Sequence, residues 1–306
     1  MSGLSTLKRF IRPLVPVGVV EFRFRRQQER EAAEEDARRQ RFEQLRHVVA
    51  EVVASIAALS EAQCSDAEFL EKTFIPSLGL NDERLMRQPP EFSPYYGKGL
   101  HIWQYPSQLS QYLVWLTGNS AGITSYMEIG CRWGGMFILI SEWIRKNGGQ
   151  LRNVVAVDPI KPTPFIESYF ELLRNHSIDG RPAVQATYVR DLSTSAAVRE
   201  LVNRLRPDFV FIDADHRLRG VFSDHMLVRN HAQIIVHHDV CSDRCVDTTF
   251  LWNSLKKLEA HEFDFFEFVS QYSSVKGNFL GIGAMKRKAE NDRVTTPSLA
   301  QEMVRR

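Results

Sequence analysis

The sequence predicts an α/β fold: a seven-stranded, mostly parallel sheet with an antiparallel final hairpin, preceded by an N-terminal helical extension. Three observations predict it. From Ser125 onwards, short apolar runs alternate with amphipathic stretches, the pattern of a sheet covered on both faces. A glycine turn, Gly130 with Gly134 and Gly135, joins the first run to an apolar helix. The last two runs are joined by the loop Gln271 to Phe279 rather than by a helix, which makes them a reversed pair at one edge.

Composition sets the outer limits. With 306 residues and 43% hydrophobic content the chain can bury a full core, and a net charge of +2 gives no global reason for a nucleic-acid partner. Cys64, Cys131, Cys241 and Cys245 are too few and too unevenly spaced for a secreted disulfide scaffold, so the cytoplasm is the expected compartment.

Four segments follow from composition: a basic, apolar arm at 1–26, a helical extension with a lid at 27–103, the sheet domain at 104–287 and a polar tail at 288–306. In the arm, Lys8, Arg9, Arg12, Arg23, Arg25 and Arg26 bracket an apolar run, Leu14 to Val20, far too short to span a bilayer. Such an arm suits peripheral contact with the inner membrane face, and equally a packed arm in a homo-oligomer. From 27 to 59 the pattern is helical, with an apolar face at Leu45, Val48, Val49, Val52, Val53 and Ile56. A short helix is expected at 66–73. The stretch 87–105, rich in proline and aromatic residues, reads either as a substrate-facing lid or as aromatic packing under the N-terminal helices.

In the sheet domain, strands are expected at 125–129, 154–158, 184–189, 208–213, 234–239, 263–269 and 280–285. Helices are expected at 108–116, 135–146, 164–175, 194–205, 219–230 and 249–261. Ligands of open sheets bind beyond the carboxyl ends of the strands. Glu128 and Gly130 end the first strand, Asp158 the second, and Asp191 follows the third. The fourth ends in F-I-D-A-D-H, with Asp213, Asp215 and His216; the fifth ends in V-H-H-D-V, with His237, His238 and Asp239.

Acids and imidazoles gathered on one rim repel and desolvate one another unless a cation or a proton relay compensates. Oxygen donors from Asp213 and Asp239 suit Mg²⁺ or Mn²⁺, and His216 is placed to take a proton from a hydroxyl held there. The plain alternative has Asp213 capping a helix with His216 bonded to it. Asp215 and Asp224 read as capping or supporting groups. Cys241 and Cys245 lack the paired spacing of a zinc site.

E-I-G-C-R-W-G-G, V-V-A-V-D-P, F-I-D-A-D-H-R-L-R-G-V-F-S-D and V-H-H-D-V together resemble the successive motifs of class I S-adenosylmethionine-dependent methyltransferases, which have a Rossmann-like sheet. Within that class they are most similar to metal-dependent O-methyltransferases of macrolide sugars and the cephalosporin pathway. The resemblance covers roughly Gln104 to Arg287. It implies that Glu128, Gly130 and Gly134 lie in the cofactor loop, that Asp158 holds the ribose, and that Asp191 or Leu192 lies near adenine. It further implies metal binding by Asp213 and Asp239, with His216 as general base, and a sugar, glycoside or other diol as acceptor. No third carboxylate ligand can be assigned from the pattern; Glu128, Asp215 and waters are the candidates. Three other classes stay open: a nonheme iron oxygenase using His216, His237 or His238 with Asp213, a nicotinamide oxidoreductase, which the glycine spacing and the final hairpin disfavour, and a non-catalytic scaffold.

Overall fold

The computed structural model describes residues 46–83, 86–174 and 183–289, together with Gln40 and Glu43. The chain divides into two units, Met1–Gln44 and Leu45–Arg306. The expectations for the arm at 1–26, the first half of the long helix and most of the tail at 288–306 lie outside the described residues. Among the described residues, no helix is long and apolar enough to cross a membrane.

Helix α1 (Val48–Ala58) buries Val49, Val52, Val53 and Ile56, the face its periodicity predicts. It packs beside the sheet domain, where Lys146 donates to the Ala57 carbonyl at 2.8 Å. The helix expected at 66–73 is present and runs on without a break, as Ala67–Phe69, the π turn Leu70–Phe74 and Ile75–Ser77. Pro76 has no N–H to return to Lys72, so a continuous α-helix has no bond to make there.

Helix α2 (Pro106–Thr117) leads into the alternation: β1 (Ser125–Ile129), α3 (Gly135–Lys146), β2 (Asn153–Val157), α4 (Pro164–Arg174), β3 (Gln185–Val189), α5 (Ala196–Leu205), β4 (Phe209–Ile212), α6 (Leu218–Val228), β5 (Ile234–His238), α7 (Val246–Leu258), β6 (Phe263–Phe268) and β7 (Ile282–Arg287). The seven strands lie in the order β3-β2-β1-β4-β5-β7-β6. Strands β1 to β5 run parallel, while β7 is antiparallel to both β5 and β6. The reversed edge hairpin is the one expected from the helix-free connection.

Strand side chains alternate between two covered faces. One carries Met127, Ile129, Val155, Val210, Ile212 and Ile235 against Val198, Val221, Val228, Leu251 and Trp252 of α5, α6 and α7. On the other, Tyr126 stacks on Phe137, and Phe211 meets Tyr112 edge-on. Burying a residue such as Trp252 or Tyr126 removes on the order of 200 Å² from water, so these layers dominate the stability of the sheet.

Most boundaries shift by one to three residues from those expected. β7 begins at Ile282 rather than at 280, because Leu280 and Gly281 have φ of 61° and 102° and cannot enter a ladder. α7 starts one turn before Thr249 and ends at Leu258, leaving residues 259–261 to turn into β6.

Candidate metal and cofactor site

The glycine turn is built by close backbone approach. Gly130 has φ of 86°, and a Cβ there would lie 2.2 Å from the Asp213 carbonyl oxygen, so glycine is what lets the ends of β1 and β4 touch. Gly134, with φ of 87°, starts α3, whose first-turn amides have no partner inside the helix. A Cβ at Gly135 would lie 2.1 Å from the Leu100 carbonyl oxygen, which presses the 97–101 segment onto the helix start. Arg132 places its guanidinium 4.0 Å from the Trp133 ring centre and 4.9 Å from that of Trp103. The aromatic stretch therefore splits. Trp103 and His101 sit against the glycine turn, whereas Tyr105 is a core residue whose hydroxyl donates to the Met86 carbonyl at 2.6 Å.

Asp158 stands just after β2, and its two carboxylate oxygens accept from the Arg132 amide at 2.8 Å and the Ile160 amide at 3.0 Å. Each oxygen keeps a second lone pair for a ligand hydroxyl. Glu128 is buried behind the rim, bonded to the Tyr126 hydroxyl, and burial pushes its pKa up to about 8. Asp191 turns its carboxylate onto the Leu192 amide at 2.8 Å, leaving the Leu192 side chain exposed beyond β3.

Asp213 and Asp239 do converge, and two histidines join them. His216 Nε2 lies 3.2 Å from Asp213 Oδ1 and 3.1 Å from Asp239 Oδ2. His238 Nδ1 lies 3.2 Å from Asp213 Oδ1 and 3.6 Å from Asp239 Oδ2. The four donor atoms all lie within 4.8 Å of one another. Asp239 reaches the cluster from a left-handed backbone, φ 58°, a conformation costing about 1–2 kcal/mol for a residue with a Cβ. Burial alone would raise both aspartate pKa values; His238 and His216 outweigh it and hold both carboxylates ionised. Hydrogen bonds to Asp213 and Asp239, which accept from its ring, push His216 up to about 10. For His238 burial pulls the pKa down, and the two carboxylates prevail and raise it.

Strand periodicity separates the adjacent histidines. His237 points to the opposite face, its Nε2 3.2 Å from His225 Nδ1 and its ring packed on Trp252, so it cannot join an iron site with Asp213. Asp213 does not cap α6: Asp215 accepts from the Arg217 amide at 3.1 Å and Asp247 from the Leu218 amide at 2.9 Å. Cys245 donates its thiol to Asp239 Oδ2 at 3.2 Å, and burial with the Asp239 charge pushes its pKa to about 12. The thiol there supports the Asp239 carboxylate as a hydrogen-bond donor.

The strand order with its reversed β7, the glycine turn after β1 and the acid after β2 agree with what the sequence motifs imply. This is a Rossmann-like, class I methyltransferase fold. No family model and no curated protein matches the chain. Among solved structures, a precorrin-6Y C5,15-methyltransferase from Geobacter metallireducens aligns at 15% identity over 59% of this chain and 89% of that one, with a TM-score of 0.33. A cyclopropane-fatty-acyl-phospholipid synthase-like protein from Lactobacillus casei aligns at 6% identity over 59% of this chain and 91% of that one, with a TM-score of 0.35. Overlaps this shallow carry no weight for activity; the strand order itself defines the fold.

The residues fit a divalent ion. Asp239 Oδ1 and His238 Nδ1 are buried with no hydrogen-bond partner, and both belong to the cluster. The first-turn amides of α3 and the second lone pairs of the Asp158 carboxylate are polar groups at the same rim able to receive a ligand. Sequence reading missed Gln104, whose Oε1 lies 2.6 Å from His238 Nε2, and Cys245 beside Asp239. The signal available for Gln104 was its i, i+4 spacing to Gln108, both buried polar residues in an otherwise aromatic and apolar neighbourhood.

Proposed function

We propose that the protein is an S-adenosylmethionine-dependent O-methyltransferase acting on a hydroxyl of a sugar, glycoside or other diol-containing small molecule, with a divalent cation orienting the acceptor. The observation that carries this reading is the meeting of glycine turn and acid–imidazole cluster at Gly130 and Asp213, which puts a cofactor cradle and a candidate metal centre on one rim.

The cofactor supplies an already electrophilic methyl group, and the cation, held by Asp213 and Asp239, supplies a lowered hydroxyl pKa. The remaining work is alignment and proton transfer. The first-turn amides of α3 receive the polar end of the cofactor, Asp158 takes the ribose hydroxyls, and Asp191 with Leu192 borders the adenine. Glu128 supports the loop from beneath. His216 takes the acceptor's proton at Nε2. Bonded to two free carboxylates it is pushed up to about 10 and would arrive already protonated, so its role as base requires Asp213 and Asp239 to be engaged by the cation.

Calorimetric titration with S-adenosylmethionine, S-adenosylhomocysteine and NAD on one sample tests the cofactor class. Selective binding of the first two, followed by cation-dependent methylation in a panel of sugars and vicinal diols, is the expected result. Binding of none of them by folded protein removes the reading.

A second reading is favoured by one observation: His216, His238 and Asp213 form a two-histidine, one-carboxylate set suited to Fe²⁺. Iron-dependent oxygen uptake without any S-adenosylmethionine requirement would select it. The basic arm adds peripheral contact with an anionic membrane; loss of vesicle co-flotation after deleting residues 1–26, with turnover intact, is the expected outcome.

A further inference from the structure

The hydrogen bonds around His238 have a fixed direction, set by two backbone groups. The Gly281 N–H donates to Gln108 Oε1 at 3.2 Å, and Gln108 Nε2 donates to the Phe279 carbonyl at 3.4 Å. A backbone N–H can only donate and a carbonyl can only accept, so the Gln108 amide has one orientation. Its Oε1 also receives Gln104 Nε2 at 2.6 Å, which fixes the second amide in turn. Gln104 thus presents its oxygen to His238 Nε2 at 2.6 Å, and that ring nitrogen must carry a proton. In the neutral ring this leaves the lone pair on Nδ1.

Nδ1 is the atom that faces the cluster. It is buried, has no hydrogen-bond partner, and lies 3.2 Å from Asp213 Oδ1 and 3.6 Å from Asp239 Oδ2. A lone pair set against two carboxylate oxygens is repulsive unless positive charge stands among them, supplied by a proton on Nδ1 when the site is empty and by a cation that displaces that proton when it is filled. Beside it, Asp239 Oδ1 is also buried without a partner. Donor atoms of one six-coordinate ion at bonds near 2.1 Å sit about 3 Å apart when adjacent, close to these separations.

We propose that His238 is a metal ligand through Nδ1, held in the required tautomer by the Gln104–Gln108–Gly281 chain, and that the resulting nitrogen-and-oxygen donor set makes the centre select a first-row transition ion such as Mn²⁺ over Mg²⁺. Imidazole contributes little to Mg²⁺, which demands oxygen ligands and gives up its waters reluctantly, whereas Mn²⁺ and its later neighbours accept mixed donors. Gln104 is then a positioning residue: it touches neither ion nor substrate and acts through the ring it orients. The proposal rests on the reading of the cluster as a metal centre and is independent of methyl transfer.

The test is calorimetric titration of the full-length protein with MnCl₂ and MgCl₂ separately, paired with pulsed electron paramagnetic resonance of the Mn²⁺-loaded protein. We expect Mn²⁺ to bind at least ~10-fold more tightly than Mg²⁺, and His238→Glu, which replaces the nitrogen by a carboxylate, to collapse that ratio. Gln104→Leu is expected to weaken Mn²⁺ binding ~10–100-fold, and Gln104→Glu, which still accepts from Nε2 but sets its other oxygen against Gln108 Oε1, to recover part of it. In a His216→Ala background, ¹⁴N modulation on the Mn²⁺ signal then reports His238 alone, and we expect it to persist. Absence of that modulation, or a Mn²⁺-to-Mg²⁺ ratio unchanged by His238→Glu in a protein of native circular dichroism, overturns the proposal. Failure of wild type to bind either ion overturns it together with the metal-centre reading. A protein that passes these tests but transfers no methyl group removes the methyltransferase reading and leaves this one standing.

Discussion

The Arg132 amide donates to Asp158 Oδ2 at 2.8 Å, so the acid that ends the second strand also holds the turn that follows the first. Asp158→Ala therefore removes two things at once, a ribose acceptor and a brace on the glycine turn. S-adenosylhomocysteine affinity should fall ~10–100-fold, the equivalent of about 1.4–2.8 kcal/mol. Asp158→Asn keeps one acceptor oxygen and should lose less. A calorimetric titration of Asp158→Ala that matches the parent contradicts the assignment.

Gly130 is the contact between the glycine turn and the acid–imidazole cluster. An alanine there would be strained at φ 86° and would drive its Cβ into the Asp213 carbonyl, against backbone that cannot swing away. The expected stability loss is roughly 2 kcal/mol or more, read from denaturant unfolding, with metal and cofactor affinity falling together. Loss of cofactor binding with an undisturbed metal titration would separate two sites that the geometry joins.

His216→Ala should lower kcat by ~10²–10⁴ while changing the affinity for S-adenosylhomocysteine little, as expected of a proton acceptor. The ionisation adds a pH signature. With His216 pushed up to about 10 when its carboxylates are free, raising the divalent ion from sub-saturating to saturating concentration should shift the acidic limb of the kcat/KM profile to lower pH. Full turnover of His216→Ala at neutral pH ends its role as base.

Asp224 lines a cavity of about 440 Å³ between α5 and α6, and its buried carboxylate has no hydrogen bond of good geometry. Burial pushes its pKa up to about 6, tempered by the nearby Ser193 hydroxyl. A carboxyl raised above its unfolded value binds its proton more tightly in the folded state. Its penalty is absent below about pH 4 and grows as pH rises to about 6, reaching at most about 3 kcal/mol. Asp224→Asn should raise the Tm at pH 7.5 more than at pH 4. An equal shift at both values would show that Asp224 is ionised without cost.

The sheet was legible because its strands are Val- and Ile-rich, buried on both faces and punctuated by glycine. The start of α3 was legible from Gly134 and Gly135 alone. Asp213, His216 and Asp239 were legible as a group because strand ends of an open sheet share one rim. His238 was offered as a ligand only interchangeably with His237, in the iron alternative, since adjacent histidines look equivalent in a string of letters and only the register of β5 sends one inward to the cluster and the other toward Trp252. Gln104 was out of reach for a different reason: it meets His238 across 134 residues of chain. The packing of 97–101 over α3 was hidden too, because it depends on His101 at φ 56°, a conformation that residue type does not announce.

The dependence of His238 on Gly281 has a consequence for the order in which the protein acquires its chemistry. A nascent chain halted before residue 281 would already contain both aspartates, both histidines and both glutamines. It would lack one of the two peptide groups whose polarity aligns the two amides, and the proton of His238 would be held less firmly on Nε2. On the proposed assignment, synthesis of the edge hairpin completes the alignment of that lone pair, and truncated products should bind the ion more weakly even where the parallel strands have folded.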